Sequence, residues 1–326
     1  MPEKEQPISP IVVGEDTFFP GQSGVVSMTV GALPSGTKIS IKAHVYRALK
    51  PGPSILLLAG VHGDEINGIE IVRRSIAEET FSRLQRGTVI AIPLLNVYGF
   101  INFSRDVPDG KDVNRAFPGT SNGSLAARVA HILHKIILPH VDFGIDFHTG
   151  GRGTYNYPQL RYTPEDAQSR EIAMAFGAPI VVASTPPARS LRKTALRTYE
   201  VPILTYEGGE NQRYDGLSLQ IGVIGIQRLL VHYGMLPTQY APTLPVRVRQ
   251  VEKSTWLRAS RAGLFRWYKA SGQAVRKGEP LGVICDPRGT LKDKRIIAPR
   301  DGFIIGHANA AVVSQGDALF HIGEME

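Results

Sequence analysis

The sequence predicts an α/β fold, a three-layer domain with a mostly parallel mixed sheet followed by a small all-β, barrel-like module. Short unbroken apolar runs such as Ser54-Ile55-Leu56-Leu57-Leu58-Ala59 read as buried strands. They alternate with stretches of helical spacing, as parallel β-α units require. After Tyr233 that alternation stops, and short segments broken by glycine take over.

In chain order, about twenty residues of weak pattern precede Val25–Val30 and Lys38–Tyr46, where Ile39, Ile41, Ala43 and Val45 alternate with polar residues. These predict antiparallel strands joined across Pro34-Ser35-Gly36. The buried strand at Ser54 leads into Gly60-Val61-His62-Gly63-Asp64-Glu65 and a helix running to about Leu84, with Asp64 or Asn67 as its cap. Thr88–Leu95 is the next buried strand. The stretch 96–118 is long, polar and aperiodic, and such loops are usually functional. A helix over Leu125–Leu138, a strand over Val141–Phe147, a helix over Glu165–Phe176, extended chain at Pro179–Val182, a strand over Val201–Tyr206 and a helix over Leu217–Tyr233 complete the expected domain, residues 1–240. Residues 1–50 hold its N-terminal strands. Pro237, Pro242 and Pro245 mark a linker, and residues 241–326 form the β module.

Composition narrows the class. Hydrophobic content of 42% and charged content of 20% are ordinary for a globular protein. No apolar run approaches the length of a membrane span, and the polar start Met-Pro-Glu-Lys-Glu-Gln argues against a signal peptide. The single cysteine, Cys285, excludes an internal disulfide and fits a reducing compartment, so cytoplasm is the expectation. Of the net charge of +8, residues from Pro245 onward carry +6, with 14 Lys+Arg against 8 Asp+Glu. Those basic residues are scattered and match no nucleic-acid motif, so they read as a solvated surface and not as a nucleic-acid partner site.

Open α/β sheets bind ligands at the carboxyl ends of their strands. His62 and Glu65 follow one such end, and His148, in Asp146-Phe147-His148-Thr149-Gly150-Gly151, lies at another. Parallel strands would bring them together. Two imidazoles and one carboxylate are the ligand set of a catalytic zinc with an open fourth position, and Asp146 could orient a ligand histidine. His131 and His134 lack such context and read as a polar helix face. Glu207 closes a third strand before Gly208-Gly209 and suits proton transfer; Glu210 competes for that role. In the long loop, Arg105, Asp112, Asn114 and Arg115 offer anion chemistry, because an arginine fork grips a carboxylate through two hydrogen bonds.

Together, Gly-Val-His62-Gly-Asp-Glu65, Asp112-Val-Asn114-Arg115-Ala-Phe-Pro-Gly, Asp-Phe-His148-Thr-Gly-Gly and Tyr-Glu207-Gly-Gly resemble the succinylglutamate desuccinylase/aspartoacylase family, relatives of the zinc carboxypeptidases. The likeness covers roughly residues 50–235. It implies one Zn²⁺ on His62, Glu65 and His148, Glu207 as general base and acid, and Asn114-Arg115 as anchor of a substrate carboxylate. Asp112 and Arg105 would be further pocket members, and either Arg192 or Arg197 a further substrate contact. The C-terminal module looks like a biotinyl/lipoyl-type barrel without a Met-Lys-Met attachment site, which suits shielding the site or subunit contact. The expected activity is zinc-dependent hydrolysis of an N-acyl amino acid or related small carboxylate-bearing amide, in a chain that could form a homo-oligomer. A carboxypeptidase acting on small peptides, or a non-catalytic binding protein on the same fold, is the alternative.

Overall fold

The computed structural model describes residues 9–243 and 247–324; the N-terminal Met-Pro-Glu-Lys-Glu-Gln and the linker Pro245 lie outside the described residues. Ile11–Val13 (β1) and Asp16–Phe18 (β2) form a small hairpin. Ser23–Ala32 (β3) and Lys38–Arg47 (β4) pair antiparallel, as their alternation predicts, and join the edge of the main sheet. Then follow Lys50–Ala59 (β5), helix Ile66–Ala77 (α1), Arg86–Ile92 (β6), Val97–Ile101 (α2), Leu125–Ile132 (α3), Phe143–Gly150 (β7), Thr154–Tyr162 (β8), Ala167–Phe176 (α4), Ile180–Ala183 (β9), Leu191–Tyr199 (α5), Ile203–Glu210 (β10) and Gly216–His232 (α6). The C-terminal strands are Arg249–Val251 (β11), Ser254–Arg258 (β12), Gly263–Trp267 (β13), Ala274–Val275 (β14), Pro280–Cys285 (β15), Lys294–Ile297 (β16), Gly302–Ala308 (β17), Val312–Val313 (β18) and Ala318–Gly323 (β19).

At the centre of the main sheet, β10, β7, β5 and β6 run parallel in that spatial order. Strand β5 shows why this is the buried middle layer. Leu56 and Leu58 join a core with Ala126 and Val129 of α3 and Leu191 of α5, whereas Ile55, Leu57 and Ala59 face Ile71 of α1, Phe176 of α4 and Leu229 of α6. Each such fully buried aliphatic side chain contributes about 1.5–3 kcal/mol. The three-layer arrangement is therefore an α/β fold with helices on both faces. Beyond β10 the sheet continues antiparallel through β8 into β17, β19 and β12 of the C-terminal region, and β11 pairs with β9. A separate sheet, β16-β15-β13-β18, covers the C-terminal core around Phe265, Leu281 and Phe320.

Several local expectations change. Helix α1 stops at Ala77, where Glu79 takes a left-handed conformation (φ 54°) before a 3-10 turn at Thr80–Arg83. Neither Asp64 nor Asn67 caps it: Glu65 is the N-cap without a side-chain bond. Instead Asp64 Oδ2 accepts from Asn211 Nδ2, and Asn67 Oδ1 accepts from the Asp215 backbone N–H. His134 is not on a polar face. It lies in the π-helical segment Leu133–Ile137, buried 5.1 Å from the Tyr199 ring. Strand β8 and helix α5 have no counterpart in the sequence reading.

Gly63 shows how the His62 loop is held. A Cβ there would meet the Gly99 and Phe100 backbone at 2.0 Å, so α2 can lie against the loop only because residue 63 lacks a side chain. Gly63→Ala should lower stability by roughly 1–3 kcal/mol or more, the cost of overpacking, in a denaturant melt; an unchanged midpoint would contradict this contact.

Candidate metal centre and active site

His62 leaves the carboxyl end of β5, His148 sits near that of β7, and Glu207 on β10 is the register partner of His148. The adjacency of β5, β7 and β10 thus converts three distant sequence positions into one site. His62, Glu65 and His148 are buried, and their ligand atoms lie within 4.8 Å of one another. Glu65 spans the two rings: Oε1 is 2.8 Å from His62 Nδ1, and Oε2 is 2.8 Å from His148 Nδ1. The Thr149 backbone N–H also donates to Oε2 at 3.1 Å. Burial alone would raise the Glu65 carboxyl, but the two histidines and their hydrogen bonds hold it well below the usual carboxylate range.

Both imidazoles turn Nδ1 to the centre and engage a carboxylate with Nε2. His148 Nε2 is 2.8 Å from Asp146 Oδ2, and His62 Nε2 is 3.2 Å from Asp112 Oδ1. Carboxylates behind ligand histidines fix ring orientation and raise ligand basicity. The donor set therefore fits zinc: two nitrogens and a carboxylate converge, and each ring is braced from behind. Asp112, expected as a member of the substrate pocket, stands behind the His62 ring. It faces His62 and accepts from Arg105 Nη2 at 2.9 Å, while Arg105 Nη1 donates to Glu65 Oε1 at 3.3 Å.

The cluster lines a cleft of about 370 Å³ together with Arg105, Asn114, Arg115, Arg161, Arg192, Glu207 and Trp256. Asn114 Oδ1 accepts the Leu191 N–H at the start of α5, which leaves the amide nitrogen as its donor for a ligand. Arg115 is exposed and donates to its neighbour's carbonyl, Asn114 O. Of the two upstream arginines, Arg192 lines the cleft, whereas Arg197 is on the exposed face of α5. Burial pulls Arg192 down to about 10, and the nearby Arg161 charge adds to the effect. Glu207 lies in the cleft, where Oε2 accepts from Asn156 Nδ2 at 2.9 Å and Oε1 is 3.6 Å from Arg161 Nη1. Glu210 is elsewhere, accepting from Asn309 Nδ2.

A family model described as the succinylglutamate desuccinylase/aspartoacylase catalytic domain matches residues 51–233, more than half of the chain. The chain belongs to that family. It is 29% identical to an N-alpha-acetyl-L-2,4-diaminobutyric acid deacetylase of Halomonas elongata over 84% of this chain and 83% of the relative. A succinylglutamate desuccinylase/aspartoacylase structure from Rhodobacter sphaeroides superposes with a TM-score of 0.82 at 28% identity, covering 94% and 96% of the two chains. The product-bound ectoine utilization protein EutE of Ruegeria pomeroyi also has a TM-score of 0.82, at 23% identity, over 98% and 99% of the chains, and so shares the fold. Family membership supports deacylase activity on an amide. No helix among the described residues is long and apolar enough to cross a membrane.

Sequence reasoning missed Asn156, Arg161 and Trp256. The first two lie on β8, whose strand signal is interrupted by Pro158. Trp256 comes from the C-terminal β12, nearly parallel to the His321 ring at 4.5 Å, and nothing local in the sequence connects it with the cleft. Asp112→Asn should weaken zinc binding about 10- to 100-fold, as loss of a ligand-orienting partner does, in competition with a chromophoric chelator. Unchanged affinity would remove Asp112 from this role.

Proposed function

We propose that this chain is a zinc-dependent deacylase that hydrolyses the amide bond of an N-acyl amino acid or related small carboxylate-bearing amide. The observation that carries the reading is the buried His62–Glu65–His148 cluster, with Glu207 and four arginines around one cleft. A space of this size suits a small molecule, and its arginines suit an anionic one.

His62, Glu65 and His148 would hold the zinc, which would supply Lewis acidity for the amide carbonyl and lower the pKa of a water there. Glu207 takes the proton of the attacking water and returns it to the departing amine nitrogen. Arg105 presents its guanidinium beside the cluster, where negative charge develops on the carbonyl oxygen. Asn114 and Arg115, which line the cleft, hold the substrate carboxylate. Arg192, with the Arg161 charge nearby, receives a further polar or anionic group of the substrate. Trp256 adds an aromatic face to the cleft lining.

Glu207→Gln keeps size and a hydrogen-bonding end but cannot accept the water's proton. Its kcat should fall by roughly 10²–10⁴ while zinc content, measured by elemental analysis, stays at the wild-type level. Near-normal turnover would withdraw the role from Glu207. Arg115→Lys replaces a fork by a point charge. Loss of one charge-assisted hydrogen bond costs about 1.5–3 kcal/mol, so kcat/KM should drop by roughly 10–150-fold. The loss should be much smaller for an analogue whose carboxylate is a neutral amide. Equal losses on both compounds would make Arg115 structural.

A further inference from the structure

Strand β17 of the C-terminal region runs along β8 where the cleft wall is built, pairing Gly306 with Asn156 and His307 with Tyr155. On its other edge β8 pairs Asn156 with Gly209 of β10. Asn156 is therefore flanked by the strand that carries Glu207 and by a C-terminal strand. It is buried, and its Nδ2 donates to Glu207 Oε2 at 2.9 Å.

Packing alone does not account for this residue. Asn156 Oδ1 is buried without a hydrogen-bond partner among the described residues, an arrangement unfavourable for stability. Turning the amide over would set Oδ1 against the Glu207 carboxylate, so the carboxylate dictates its orientation. Gly306 is shaped by the same contact. It is not among the glycines with positive φ, so its backbone does not call for glycine. What it supplies is room: a Cβ there would lie 2.7 Å from Asn156 Oδ1 and 3.3 Å from Tyr155 O. Next to it, His307 Nδ1 accepts from the Ser271 backbone N–H at 3.0 Å and lies 2.6 Å from Ser271 Oγ, which pins β17 in place. The same region grips β10 at a second point, where Asn309 Nδ2 donates to Glu210 Oε2 at 2.8 Å and Asn309 Oδ1 accepts from Trp267 Nε1 at 3.1 Å.

We propose that the C-terminal β region positions Glu207 for proton transfer: β17, bare at Gly306, holds Asn156 so that its amide fixes the Glu207 carboxylate. Asn156 is a positioning residue that acts through Glu207. The C-terminal strands then belong to the catalytic apparatus as well as to the wall of the cleft. This inference rests on Glu207 being the proton-transfer group.

The test is a double-mutant cycle in the full-length, zinc-loaded enzyme, with kcat and KM read by amine release from an N-acetyl amino acid. Asn156→Ala should lower kcat about 10- to 100-fold, the weight of a hydrogen bond to a charged group, with KM within about twofold and zinc content unchanged. In a Glu207→Gln background it should cost nothing more, because the carboxylate it holds is gone. Gly306→Ala should also lower kcat, and should add little to Asn156→Ala. If Gly306→Ala does not fold, the Asn156 cycle decides alone. Wild-type kcat in Asn156→Ala beside an impaired Glu207→Gln would overturn the positioning role, as would full additivity of the two changes. Near-normal turnover by Glu207→Gln would instead overturn the reading of Glu207 itself.

Discussion

The Glu65 carboxylate, placed between His62 and His148 in a buried site, is the constraint on which the rest depends. A buried carboxylate is costly unless its oxygens are fully engaged, and here one oxygen meets each ring and a backbone N–H adds a further bond. That arrangement requires β5 and β7 to be neighbours, the His62 loop to turn tightly, and Asp146 and Asp112 to stand behind the rings. The apolar cores on both faces of the sheet hold this geometry rigid. The chemistry comes from a handful of polar groups at strand ends.

The second constraint is continuity of the sheet. Because β8 pairs with β10 on one edge and β17 on the other, the C-terminal strands are hydrogen-bonded to the strand that builds the cleft. Ile180 and Val182 of β9 share a small core with Val251 of β11 and with Phe303 and Ile305 of β17, which anchors the same junction. The C-terminal region also sends Trp256 to the cleft itself.

Much of this was legible because central parallel strands are unbroken apolar runs, and glycine-flanked His62, His148 and Glu207 stand at their ends. Strand β8 was not. Its residues Thr154-Tyr155-Asn156-Tyr157-Pro158-Gln159 are largely polar, and Pro158 falls where the β8–β10 register shifts between Asn156 and Gln159. Helix α5 was missed because few of its residues are apolar. Ser190, which caps it by accepting the Lys193 N–H, was the available signal. The resemblance implies Asp112 as a pocket member, alongside Asn114 and Arg115 in the same long loop. A 3-10 turn at Val113–Arg115 lets Asp112 face His62 while those neighbours line the cleft. Side-chain direction within such a turn cannot be read from spacing.

The central claim is that the histidine–carboxylate cluster is a zinc centre that makes this chain a deacylase. Elemental analysis of the purified protein, combined with amine release from N-acetyl, N-succinyl and N-formyl amino acids before chelation, after it and after zinc is restored, tests it most directly. The account predicts about one zinc per chain, hydrolysis of at least one of these amides, loss of that activity with the metal and its return with zinc. Hydrolysis that persists in metal-free protein, or zinc that remains bound in full after His62, Glu65 and His148 are replaced together by alanine, would contradict it.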